Sequence, residues 1–154
     1  MSESRIPRGV RNNNPLNIKR QRGDKWIGMS SVQNDKTFVQ FQNMDYGWRA
    51  AFIILRKYFY KYGINTIHDI IHRWAPVSEN DTAGYIRIVC RHTGLGENQP
   101  LGGPHENTGR WMHIAYAMAC VECGYTNFDI SHLFKGYDMA VYATRQLEKD
   151  TLNL

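Results

Sequence analysis

Residues 110–121, RWMHIAYAMACV, read as a helix that is apolar around nearly its whole circumference. Such a helix has to cross the middle of a domain, with other amphipathic segments laid around it. Glu122 follows at once, and Gly124 is suited to the left-handed cap that ends a helix. A carboxyl in that place meets the negative end of the helix dipole and loses water to the surrounding core. Both effects favour the protonated form, which is what a general acid for glycoside cleavage requires. The plainer role for the same residue is an exposed helix-terminal glutamate.

Other segments supply the surrounding layer. From Asp45, Trp48, Ala51, Phe52, Leu55, Phe59 and Tyr62 recur at helical spacing, and Gly63 closes a long core helix. Thr66 is placed to cap IHDIIHRW, which Pro76 terminates. Asp81 or Thr82 caps a further helix with Tyr85, Ile88, Val89 and His92 on one face and Gly94 at its end. A glycine- and proline-rich loop then leads to Thr108, the expected cap of the central helix. A last helix starts near Asp129 and runs through LFKGYDMAVYATRQLEK.

The first third of the chain is different. Asn12, Asn13 and Asn14 precede Pro15, which biases its neighbour out of the helical region, while asparagine side chains bond nearby backbone. An ordered turn is expected there. KWIGMSS and TFVQFQ are β-prone runs joined by a polar stretch, which predicts an antiparallel hairpin over residues 25–41. The expected fold is therefore α+β, mainly α: one domain over residues 1–154, with residues 1–9 a poorly ordered tail.

A length of 154 residues suffices for a buried core without staples, and 42% hydrophobic with 21% charged residues is an ordinary globular balance. The formal charge of +5 favours anionic partners: nucleic acid, anionic membrane surfaces or the acidic bacterial wall. Cys90, Cys120 and Cys123 are odd in number and lack a second ligand pair, so they read as small buried residues, with no metal and no cofactor implied. The start, MSESRIPRG, lacks the apolar core of a signal peptide, and no apolar run is long enough to span a bilayer. No membrane partner is expected. Nine tyrosines and four tryptophans exceed what a core of this size needs, so some are expected to line a sugar or base cleft. Of Tyr46, Trp26, Trp48, Trp74 and Tyr125, the favoured stacking residues are Trp26 and Tyr125, because Trp48 falls at a core position.

RGVRNNNPLNI, W.G, F..F, DYGWRAAFIILRKYFYKYGINTI and RWAP.SENDT..YI resemble a family of bacteriophage and prophage proteins often labelled phage structural proteins. The resemblance covers Arg8 to about Gly94. In that family a later helix commonly ends in His-Glu-Asn-Gly, where this chain has Val121, Glu122, Cys123 and Gly124. A weaker resemblance is to the lysozyme-like hydrolases, including autolysin-type glucosaminidases and lytic transglycosylases. Their catalytic glutamate ends a buried helix and precedes a segment similar to NNPLNIK...W.G......F..F. The order here is inverted, which implies a circularly permuted lysozyme-like domain.

These resemblances imply a phage protein that cleaves the glycan strands of peptidoglycan with Glu122 as acid. It would be made in the bacterial host cytoplasm and carried in the virion, beside other virion proteins, or delivered to the wall. Asn13, Asn14 and Asn17 would shape the cleft wall and donate to substrate N-acetyl groups. A second carboxylate, needed for hydrolysis but not for lytic transglycosylation, would come from Glu79, Asp81, Asp24 or Asp45, with Glu79 first. The rival expectation is a non-catalytic virion or wall-binding protein of the same fold. Nucleic-acid binding through Arg5, Arg8, Arg11, Lys19, Arg20 and Arg22 ranks last, since no recognition motif accompanies the charge.

Overall fold

The computed structural model describes residues 6–153. Residues 1–5, which include Arg5 and most of the expected tail, lie outside the described residues. The elements are α1 (Arg8–Arg11), α2 (Met44–Tyr60), α3 (Ile67–Trp74), α4 (Thr82–Thr93), α5 (Thr108–Cys123), α6 (Ile130–Ala143) and α7 (Arg145–Leu152). Arg8 and Gly9 belong to α1, with Gly9 buried. None of these helices is long and apolar enough to cross a membrane.

α5 is the central helix. Trp111, Ile114, Ala115, Ala117, Met118 and Ala119 are buried on several of its faces. α2 supplies Trp48, Ala51, Phe52 and Leu55, and the Ile67, Ile70 and Ile71 face of α3 joins the same core. α6 crosses α2 closely because of Gly136. A Cβ there would run into the Trp48 side chain and the backbone at Asp45 and Arg49.

The expected caps appear for three helices. Thr66 accepts from Asp69 N–H, Asp81 from Gly84 N–H and Asp129 from Ser131 N–H, each relieving a backbone donor that the helix leaves unpaired. Gly94 and Gly124 close α4 and α5 in the left-handed conformation. Thr108 is not the cap of α5. That position is Asn107, and the Thr108 hydroxyl donates to the Pro104 carbonyl at 2.6 Å. The last helical run divides at Thr144, whose buried hydroxyl donates to the Ala140 carbonyl and accepts from Arg56 at 2.8 Å.

The hairpin over residues 25–41 does not form, and with it goes the α+β class: the fold is mainly α, with no strand among the described residues. Two isolated antiparallel bridges remain, Lys19 with Phe38 and Met29 with Phe41. Residues 37–42 share their backbone bonds between two neighbours, as Val39 N–H donates to Ile18 and Gln42 N–H to Gly28. Side chains occupy much of the rest. Gln33 accepts from Gln40 N–H, Gln40 accepts from the N–H groups of Asn34 and Asp35, and Asp35 accepts from those of Thr37 and Phe38. With polar side chains holding the backbone, a continuous ladder is replaced by a fixed loop.

The asparagine run is the frame of that loop. Asn14 is fully buried; its amide donates to the carbonyls of Ile18 (3.0 Å) and Val39 (2.9 Å), and its oxygen accepts from Ile18 N–H (2.9 Å). Asn12 donates to Asp35, and Asn13 to the Phe41 carbonyl. Asn13 and Asn17 take φ values of 53° and 51°, the left-handed region that asparagine tolerates better than most side chains. Gly47 of α2 sits against the Asn13 carbonyl, where a Cβ would collide. With Asn17 Nδ2 donating to the Glu122 carbonyl, the loop is seated on both the long helix and the end of α5.

Candidate functional site

Glu122 lies half-buried in the last turn of α5. Three parts of the chain converge on it. The asparagine loop reaches its backbone, with Asn17 Nδ2 donating to the Glu122 carbonyl at 3.0 Å and the Cys123 thiol donating to Pro15 at 3.3 Å. The end of α3 brings Trp74, whose indole N–H donates to Glu122 Oε2 at 3.1 Å. The buried face of α4 brings Tyr85, whose hydroxyl donates to the same oxygen at 2.9 Å.

Burial raises the Glu122 pKa above the ordinary carboxyl value; the Tyr85, Trp74 and Asn17 donors and the charge of Lys19 oppose that rise without cancelling it. Tyr85 is itself pushed well up by burial and by the neighbouring carboxyl, so it stays a donor. Burial pushes the Cys123 thiol up to about 12, which removes it as a nucleophile near neutral pH.

Two open clefts meet at Glu122 and Asn80. One, of about 520 Å³, is lined by Tyr85, Asp81, Arg87 and Arg91. The other, of about 540 Å³, is lined by Asn17, Lys19, Tyr58, Trp74 and Glu79. Glu79 and Glu122 thus face one space, and Lys19 stands 3.7 Å from the Glu79 carboxylate. The other carboxylates weighed from sequence are engaged: Asp81 caps α4, Asp24 accepts from Gln21 N–H and Asp45 pairs with His132.

Of the expected binding residues, Asn17 lines the cleft. Asn14 is fully buried with both amide hydrogens committed, and Asn13 is tied to Phe41. Trp26 packs half-buried between the two hydrophobic clusters, and Tyr125 packs edge-on against Phe128 with ring centroids 5.0 Å apart. Neither is among the residues lining the two clefts at Glu122. The aromatics that bond the Glu122 carboxyl are Trp74 and Tyr85. The available signal was their position: each ends or lines an amphipathic helix with a polar tip, and a half-buried carboxyl needs such donors.

No family model matches the chain. Over 137 residues, 88% of this chain and 82% of the other, it is 40% identical to Protein P5 of Pseudoalteromonas phage PM2.

Proposed function

The chain belongs to the bacteriophage protein family of Protein P5 of phage PM2, and we propose that it cleaves the glycan strands of peptidoglycan with Glu122 as general acid. The observation that carries this reading is a carboxyl with a raised pKa at the junction of two clefts, with Trp74 and Tyr85 both donating to Oε2. Trp74 and Tyr85 orient Oε2, so the proton is carried on Oε1.

In this reading Glu122 gives that proton to the glycosidic oxygen as the carbon–oxygen bond breaks, and the bonding pair leaves with the oxygen. The cationic sugar is then captured in one of two ways. Water attacks while Glu79 takes its proton, or the sugar's own hydroxyl closes on the ring carbon and returns a proton to Glu122. The first gives a reducing end and the second an anhydro end. The protein acts on the wall as a virion component.

The non-catalytic alternative is favoured by one feature. Trp74 and Tyr85 tie α3 and α4 to α5 through Glu122, which a purely structural residue would also do. Incubation of purified peptidoglycan with the protein, followed by mass spectrometry of the soluble fraction, separates the two. Muropeptides with reducing or anhydro ends support cleavage, whereas binding without released sugars supports the alternative.

A further inference from the structure

The cleft between α4 and the end of α5 contains two cations that proton transfer at Glu122 does not use. Arg87 and Arg91 are exposed, stand one helical turn apart on α4, and line the same wall as Tyr85 and Glu122. Among the described residues neither has an ion-pair partner. Arg8, Arg56, Arg73 and Arg145 are engaged, on Asp35, on Glu148, over Tyr62 and over Tyr142, and the other arginines without an ion-pair or aromatic partner, such as Arg11, Arg22 and Arg49, line neither cleft. Asp81, the other acidic residue of this cleft, caps α4.

We infer that Arg87 and Arg91 form an anion subsite for the carboxylates of peptide branches on the glycan strand, setting the strand so that a glycosidic bond lies at Glu122. This rests on the reading of Glu122 as the acid. Side chains four residues apart on a helix stand about 5–6 Å apart at Cβ, a spacing that suits two carboxylates of one short branch. Guanidinium forks bind carboxylates through paired, charge-assisted hydrogen bonds. The placement of charge argues for a branch rather than a continuous polyanion. A phosphate at every step would bring negative charge against the Asp81 carboxylate, whereas a neutral sugar backbone with acidic branches brings it only to the arginines.

The test is binding in a Glu122→Gln background, so that strands stay intact. Purified glycan strands with peptide branches in place are compared with strands stripped of them, at low and at moderate salt. The parent binds branched strands about tenfold more tightly, roughly 1.4 kcal/mol, and the preference shrinks as salt rises. Arg87→Gln with Arg91→Gln abolishes the preference. Lys135→Gln with Lys149→Gln, which removes the same charge from exposed positions on α6 and α7, retains it. Equal binding of both strands by the parent, or a preference that survives loss of both arginines, overturns the subsite. Loss of the preference in the lysine control also overturns it, because net charge alone would then explain the effect. Cleavage is scored separately with the native residue at 122. Its absence would defeat the acid reading, while the arginine subsite stands or falls on the binding comparison.

Discussion

Replacing Asn14 with alanine tests whether the asparagine run is a structural frame. The side chain is fully buried and makes three hydrogen bonds, two donated to the carbonyls of Ile18 and Val39 and one accepted from Ile18 N–H. The Ile18 carbonyl keeps a second partner, Val39 N–H at 3.0 Å. Truncation therefore orphans two buried backbone groups, the Ile18 N–H and the Val39 carbonyl, at about 1–3 kcal/mol each. A net loss of about 3 kcal/mol is expected, a large part of the typical total of about 5–15 kcal/mol. For a chain of this size that corresponds to a fall in melting temperature of roughly 10 °C. Urea denaturation followed by tryptophan fluorescence measures it directly. Asn13→Gly serves as comparison, since it loses one bond to Phe41 but relieves a left-handed φ of 53°, and it should cost about 1 kcal/mol or less. A loss below about 1 kcal/mol for Asn14→Ala, or a larger loss at Asn13, would refute the assignment of the frame to Asn14.

Tyr85→Phe removes a donor that stabilises the ionised form of Glu122. The Glu122 carboxyl should then titrate at higher pH, moving the alkaline limit of activity upward; carbon NMR of labelled glutamate reads this, and a downward move would contradict the bonding described. Asp35, held well below the usual carboxylate range by Arg8 and by the N–H groups of Phe38 and Thr37, contributes stability that is present above its unfolded pKa and lost as pH falls through the folded value. Melting curves of Asp35→Ala should lie below wild type at neutral pH and converge with it in acid. Glu122 has the opposite sign. Its raised folded pKa makes its contribution greatest below the unfolded value and lost as pH rises through the folded one, so Glu122→Gln should melt at or above wild type near neutral pH.

The elements legible in the sequence were those set by local chemistry. Thr66, Asp81 and Asp129 cap as their side chains require, Gly94 and Gly124 close helices, and the apolar circumference of residues 110–121 announced the central helix. The β-prone runs at residues 25–41 do not pair as a hairpin because β-prone residue types do not reveal where backbone groups find partners. Asn14, Gln33, Asp35 and Gln40 take many of them. At the site, Glu122 was visible as a carboxyl at a helix end. Its donors were not, because Trp74 and Tyr85 reach it across 48 and 37 residues of chain, a distance that local pattern does not encode.

Proton donation by Glu122 is tested by product release from peptidoglycan by wild type and Glu122→Gln across a pH series, quantified by mass spectrometry. The amide is close to isosteric and still accepts from Trp74 and Tyr85 through its oxygen, so the variant should keep its fold. Proton donation by Glu122 requires wild-type release that declines as pH rises through the Glu122 pKa, and release by the variant lower by about a hundredfold or more. Wild-type release matched by Glu122→Gln at every pH would contradict it.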